Sequence, residues 1–360
     1  MERALNFNAG PAALPLEVLQ KAQKEWLNFG GTGMSVLEMS HRSSEFESIL
    51  AGAKARVVRL MGIPDTHDIL FIQGGASLQF TMVPMNLGTD DKSGSYVLTG
   101  SWSEKALAEA EKLGSPQIAA SSKAGNYAYI PSTGGLSDFS SASYLHITSN
   151  NTIYGTQWKE FPDCGTIPLV ADMSSDILSR TIDVSRFGLI YAGAQKNLGP
   201  SGVTLVIIRK NLIGREMKNL PSMLDYNTYH KNNSLYNTPP SFAIYLLSLV
   251  LEWAEEQGGT AGLEQMNEEK AGMLYNAIDT SGGFYRGHAE SAHRSLMNIT
   301  FTLPDGGRTE RFLSEAKKAG FTGLSGHRSI GGCRASIYNA VPSAHVERLI
   351  TFMENFRKKN

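Results

Sequence analysis

Lys196 is the one lysine in Tyr191-Ala192-Gly193-Ala194-Gln195-Lys196-Asn197-Leu198-Gly199-Pro200-Ser201-Gly202, a segment of small and amide residues behind an apolar run. A lysine held away from water loses its proton more readily, and its amine becomes a nucleophile. The plainer alternative is an exposed lysine in a strand-exit turn, the usual place for this residue type. Its neighbours decide between the two. Upstream, Pro168-Leu169-Val170-Ala171-Asp172-Met173-Ser174-Ser175 is an apolar strand ending in an acid. A doubly wound sheet puts such a residue at its carboxyl edge, facing the ligand crevice. A carboxylate there suits a protonated ring nitrogen; otherwise Asp172 caps the next helix.

Ile69-Leu70-Phe71-Ile72-Gln73-Gly74-Gly75-Ala76-Ser77-Leu78-Gln79-Phe80 reads as strand, glycine turn and helix start, aiming free N–H groups and a positive helix end at a phosphate. Many strand-to-helix turns use Gly-Gly for backbone reasons alone, and the G-x-G-x-x-G of a dinucleotide fold is absent. Trp102, just beyond another strand, offers a flat face at the same edge, or serves as a core tryptophan. A tripeptide, His-Arg-Ser, recurs at His41-Arg42-Ser43, His293-Arg294-Ser295 and His327-Arg328-Ser329. Forked arginine donors beside histidines suit a dianion; each pair taken singly also fits an ordinary surface loop.

These residues need a scaffold that brings strand ends together. Apolar, β-branched runs recur at Ile69 to Ile72, Tyr96 to Leu98, Tyr144 to Ile147, Leu169 to Ala171, Leu189 to Ala192 and Val203 to Ile208. Helical patterns separate them, such as Ser103 to Leu113, whose Ser101-x-x-Glu104 opening reads as a capping box. This alternation predicts an α/β fold with a mainly parallel sheet. After Glu255-Glu256-Gln257-Gly258-Gly259 the texture changes to a long helix from Leu263 to Ile278, strands in Leu296 to Leu303 and Ala335 to Asn339, and helices Glu310 to Ala319 and Ala344 to Lys359. A large domain over 16–260 and a smaller α+β domain over 261–360 joined by 1–15 are expected.

Lys plus Arg total 33 against 34 Asp plus Glu, so the near-neutral chain has no basic footprint for nucleic acid or a membrane surface. Phe242 to Ala254, the longest apolar stretch, is too short to span a bilayer. The start lacks the charged-then-apolar order of a signal peptide, and two cysteines, Cys164 and Cys333, make no disulfide framework, so a cytoplasmic protein is expected.

Taken jointly, Asp172, the Gln195-to-Gly202 segment, Gly75-Ala76-Ser77 and Trp102 resemble the fold-type I pyridoxal-phosphate aminotransferases of the class V subgroup, and within them the members that act on phosphoserine. The resemblance covers essentially the whole chain, from Asn6-Phe7-Asn8-Ala9-Gly10-Pro11-Ala12-Ala13-Leu14-Pro15 to Gly331-Gly332-Cys333-Arg334-Ala335-Ser336-Ile337-Tyr338-Asn339-Ala340. It implies that Lys196 carries pyridoxal 5'-phosphate as a Schiff base and moves the substrate proton. It further implies that Asp172 pairs with the ring nitrogen, Trp102 stacks on the ring and Thr152 bonds its hydroxyl, while Ala76, Ser77 and Gln195 hold the phosphate. Asn237 and Thr238 match positions supplied from a neighbouring subunit, which implies a homodimer with shared sites; read without the resemblance, they only start the Phe242 helix. His41, Arg42, His327 and Arg328 match substrate-binding positions and Arg334 an α-carboxylate clamp, whereas His293 and Arg294 match none. The implied reaction moves an amino group from L-glutamate to 3-phosphohydroxypyruvate, giving phosphoserine and 2-oxoglutarate in serine biosynthesis.

Three rivals stand beside this reading. A cysteine desulfurase needs a reactive loop cysteine, for which Cys333 is the candidate, but it would place histidines where Gln195 and Trp102 stand. A transaminase acting on glyoxylate has no use for two His-Arg pairs. A ligand-binding regulator on a silent fold of this type is the third, but no helix-turn-helix or basic extension precedes residue 16.

Overall fold

The computed structural model describes residues 3–89, 91–132, 141–215 and 219–360, so Met1 and Glu2 of the expected 1–15 segment lie outside the described residues. Its main sheet has seven strands, in the order His67–Ile72, Thr204–Arg209, Phe187–Gly193, Leu169–Asp172, Leu145–Thr148, Ser95–Leu98 and Gln117–Ser121. Neighbours from Phe187–Gly193 to Gln117–Ser121 pair in parallel, and Thr204–Arg209 runs antiparallel to both of its neighbours. The six expected strands are present to within a residue or two. Gln117–Ser121 was not expected: an edge strand with largely exposed side chains carries no apolar signal.

Alternate residues of each central strand enter different cores, as a sheet covered on both faces requires. Leu169, Ala171, Ile190 and Ala192 pack with Leu50 and Val57 of helix Ser44–Met61 and Leu247 and Leu251 of helix Ser241–Glu256. Val170, Leu189 and Tyr191 face Phe80 and Val83 of helix Gly75–Leu87 and Leu107 of helix Ser101–Ala110.

Helix Ser101–Ala110 corrects one expectation. Gly100, not Ser101, precedes it, and the Ser103 hydroxyl accepts from the Thr99 and Gly100 N–H groups. The Glu104 carboxylate is drawn away from the helix end by Lys123 at 2.8 Å and the Tyr127 hydroxyl at 2.7 Å, two partners distant in sequence.

A third core holds Leu5, Phe7, Leu274, Phe301, Phe312 and Met353. Around it lie a three-stranded antiparallel sheet, Arg286–Gly287, Asn298–Thr302 and Cys333–Ser336, and helices Gly306–Lys318 and Ser343–Lys359. The N-terminal strand Leu5–Asn6 joins this part by pairing in parallel with Phe321–Thr322. Helix Gly259–Asp279 belongs to both parts, giving Leu263 to the first core and Leu274 to the third. Among the described residues no helix is long and apolar enough to cross a membrane.

Candidate active site

The carboxyl ends of the parallel strands open onto a cavity of about 620 Å³. Thr148 and Asp172 close two neighbouring strands in register, so both reach its floor. The turn after Phe187–Gly193 brings Gln195 and Lys196 to the wall, and the turn after His67–Ile72 brings Gly74 to Ser77. Gly74 sits in the left-handed region at φ 91°, and a Cβ there would come within 2.6 Å of Leu78, so only glycine makes this turn.

The Lys196 Nζ donates to Thr152 Oγ1 at 2.8 Å and lies 5.8 Å from the centroid of the Trp102 ring. Burial lowers its pKa to about 8, against the pull of Asp172 and Asp176, with the Arg334 charge adding to the drop. Asp172 is 5% exposed, and its Oδ1 accepts from the Ser174 N–H at 2.9 Å. Burial raises its pKa, while the Ser174 hydrogen bonds and the Lys196 charge act in the opposite sense. A carboxylate short of solvent gains most from a cation placed against it.

Helix Gly75–Leu87 starts at Gly74 with no side-chain cap, so the N–H groups of its first turn are free for an anion. Three buried polar atoms of the cavity residues have no hydrogen-bond partner among the described residues: Trp102 Nε1, Thr148 Oγ1 and Arg334 Nε. An aromatic ring, an unpaired carboxylate, an amine and an uncapped helix start in one cavity fit a phosphorylated, protonated heteroaromatic aldehyde.

Arg334, on strand Cys333–Ser336, donates through one terminal nitrogen to the Thr152 carbonyl at 3.3 Å and reaches the cavity beside His327. Burial and the charges of Arg334, Arg328 and Lys105 lower the His327 pKa. Arg328 is exposed and does not line the cavity. Nor do His41 and Arg42, which precede helix Ser44–Met61; His41 Nε2 is buried without a partner among the described residues. Asn237 and Thr238 also lie off the wall, where the Thr238 carbonyl accepts from Gln73 at 3.2 Å. Ala76, Ser77, Trp102, Thr152, Asp172, Gln195, Lys196, His327 and Arg334 therefore share one cavity within the chain. His41, Arg42, Asn237, Thr238 and Arg328 do not. The His293-Arg294 pair is engaged elsewhere, with Arg294 gripping Asp279 through two 2.7 Å bonds.

The wall also contains residues not singled out from the sequence: Gly10, Asn150, Ser174 and Ser175. Asn150 donates to Ser175 Oγ and to Asn298 Oδ1, both at 2.8 Å, tying the segments that follow two main-sheet strands to the small sheet. Behind Asp172, the buried Asp176 accepts from Ser149 and from Gln157. Polar clusters directly after apolar strands, Ser149-Asn150-Asn151 and Ser174-Ser175-Asp176, were the available signal. Cys333 is fully buried and its thiol is pushed up to about 12, which removes it as a nucleophile and with it the desulfurase alternative.

The chain matches the Aminotransferase class-V family over residues 4–349. It is 65% identical to a phosphoserine aminotransferase of Geobacillus kaustophilus, over 100% of this chain and 99% of that one. It is 60% identical to the phosphoserine aminotransferase of Bacillus subtilis, with 100% of each chain covered. Among solved structures, a phosphoserine aminotransferase from Bacillus circulans subsp. alkalophilus superposes with a TM-score of 0.98 at 55% identity, covering 100% of this chain and 99% of that one. The PLP-bound phosphoserine aminotransferase from Trichomonas vaginalis gives a TM-score of 0.92 at 39% identity, covering 98% and 100%.

Proposed function

The chain belongs to the aminotransferase class-V family, and we propose that its cavity exchanges an amino group between L-glutamate and 3-phosphohydroxypyruvate, forming phosphoserine and 2-oxoglutarate. The cofactor is pyridoxal phosphate, which when bound supplies the electron sink that allows a bond at the substrate α-carbon to break. The observation that carries this reading is the convergence of Lys196, Asp172 and the uncapped start of helix Gly75–Leu87 in one cavity. The test is direct: glutamate with 3-phosphohydroxypyruvate yields phosphoserine, and borohydride fixes the cofactor to Lys196. A label mapped to Lys210 instead would end the assignment.

Lys196 would anchor the cofactor, and its amine would take and return the proton of the substrate α-carbon. Asp172 holds a proton on the ring nitrogen by charge pairing, and Trp102 shields one ring face. Thr152 bonds the ring hydroxyl. Ala76 and Ser77 give the cofactor phosphate the N–H groups of an uncapped helix start, and Gln195 adds a side-chain amide. Arg334 grips the substrate α-carboxylate and orients the Cα–H bond toward Lys196. His41, Arg42, His327 and Arg328 receive the substrate phosphate, or the side-chain carboxylate of glutamate in the other half of the cycle. Arg42→Ala and Arg328→Ala each remove charge-assisted bonds worth about 1.5–3 kcal/mol, and so lower kcat/KM for phosphoserine by about 10- to 160-fold. Unchanged kinetics in both variants would remove the phosphate pocket.

A homodimer completes the site. Asn237, Thr238, His41 and Arg42 lie off the cavity wall of their own chain, as residues serving a second copy would. The stretch before His41 exposes Trp26, Leu27, Met34 and Leu37, and Tyr236 is exposed beside Asn237, so apolar surface accompanies both sets. Complementation tests the sharing. Chains carrying Lys196→Ala, mixed with chains carrying Arg42→Ala and Asn237→Ala, recover about a quarter of wild-type activity, because half the dimers are hybrids with one intact site each. Activity no greater than the sum of the two parents would show that each chain builds its site alone.

The large domain is placed at residues 16–260 and the small one at residues 1–15 and 261–360; the separate cores support two domains, with Leu14 and Leu263 crossing to the first core. Two free thiols, Cys164 and Cys333, support a reducing, cytoplasmic setting.

A further inference from the structure

Helix Gly259–Asp279 buries two polar side chains three residues apart, Asn267 and Lys270, both 0% exposed. That spacing puts them on one face. The Lys270 Nζ meets three carbonyl oxygens of one turn, Ile337 at 3.1 Å, Tyr338 at 2.8 Å and Val341 at 3.1 Å. Three acceptors match the three donors of an ammonium group, and no carboxylate among the described residues pairs with it. Beside it, Asn267 Nδ2 donates to the Ser179 carbonyl at 3.0 Å and to Asn339 Oδ1 at 2.8 Å. Burial pushes the Lys270 amine down to about 7, so holding a proton there without a counter-charge is costly, and an apolar side chain of similar length would pack the same helix more cheaply.

The turn that Lys270 grips touches three parts of the cavity wall. It continues directly from strand Cys333–Ser336, which carries Arg334. The Tyr338 hydroxyl donates to the carbonyl of Ala9, a cavity residue, at 2.8 Å. The Asn339 N–H donates at 3.1 Å to Oδ1 of Asn197, the residue after Lys196, and Asn339 Nδ2 donates to the Leu178 carbonyl at 3.1 Å. Arg334 lies in the small sheet and Lys196 beyond the main one, so their separation depends on what joins these two parts.

We propose that Lys270 is a positioning residue: by pinning the 337–341 turn from below, it sets the distance between Arg334 and Lys196, the groups that must meet one substrate's carboxylate and α-carbon. A shift of about an ångström takes Arg334 out of bidentate reach of the substrate carboxylate, so binding loses most and turnover less. Lys270 matters to catalysis in this way only if Lys196 and Arg334 hold the roles proposed above; borohydride labelling of the wild-type protein reports on the Lys196 role separately.

The test compares Lys270→Met and Lys270→Arg with Leu274→Ala, a core change on the same helix, in the holoenzyme. In Lys270→Met, the KM for glutamate and for phosphoserine rises about tenfold while kcat falls less. The absorbance titration of the bound cofactor moves along the pH axis, and the amides of residues 337–341 exchange hydrogen faster. Lys270→Arg, which keeps the charge and the donors, recovers part of the KM. Leu274→Ala lowers the melting temperature without changing KM or the titration. If Lys270→Met loses stability but keeps the wild-type KM and titration, Lys270 is purely structural and the proposal fails. Should Lys270→Met not fold, Asn267→Ala decides on the same readouts: a raised KM with a moved titration supports the latch, and wild-type values for both overturn it.

Discussion

Lys196→Ala lowers turnover by on the order of 10⁴-fold or more, since proton transfer by a positioned side chain alone contributes about 10²–10⁴ and the covalent anchor is lost as well. The variant still binds the cofactor through the phosphate turn, but borohydride no longer attaches it to the chain. The pH dependence of the wild-type apoprotein follows from the same amine. Only the unprotonated amine attacks an aldehyde, and burial brings the Lys196 pKa from 10.5 to about 8. Covalent uptake of pyridoxal phosphate therefore speeds up as pH rises, with a midpoint near that value, and levels off above it. A lysine in free solvent would keep gaining rate for two further pH units or so. A midpoint above pH 10 in stopped-flow uptake would mean that Lys196 is not desolvated, and the nucleophile would have to be sought elsewhere.

Asp172→Asn separates charge from shape. The amide keeps an oxygen for the Ser174 N–H and nearly the same volume, so the fold holds. The pairing with a protonated ring nitrogen is gone, however, and breaking a buried ion pair costs about 3–5 kcal/mol, or two to nearly four decades of kcat. Two further signs follow. Asp172 supports the charged form of Lys196, so the uptake midpoint moves lower in the variant. Burial raises the Asp172 pKa, so the folded state binds that proton more tightly than the unfolded chain does. The apoprotein accordingly loses stability as pH rises through the carboxyl range, and at neutral pH the Asn variant melts at the same temperature or higher. A variant that kept most of its kcat would show that Asp172 does not face the ring nitrogen.

Much of the scaffold was legible because its signals are local. Leu169-Val170-Ala171 and Leu205-Val206-Ile207-Ile208 read as strands, since apolar runs of that length suit a sheet covered on both faces. Gly74-Gly75 read as a turn because the backbone there needs a left-handed residue. Gln117–Ser121 escaped because an edge strand is held by its ladder and not by its side chains. Glu104 misled for a related reason: its charge answers to Lys123 and Tyr127, and nothing near position 104 announces them.

By itself, the sequence determined the residue types proposed to do the chemistry and the strand or turn on which each sits: Lys196, Asp172 at a strand end, the Gly74–Ser77 turn. Periodicity and turn chemistry act over a few residues, so they can be read along the chain. Tertiary structure alone decided which charges are free to act. It committed Arg294 to Asp279 while leaving Arg334 with an unpaired nitrogen at the cavity, it sank Cys333 beyond reactivity, and it set Lys270 beneath the turn that joins Arg334 to Lys196. Those outcomes depend on desolvation and on partners tens to hundreds of residues away, and neither is a property of a residue's own neighbourhood in sequence.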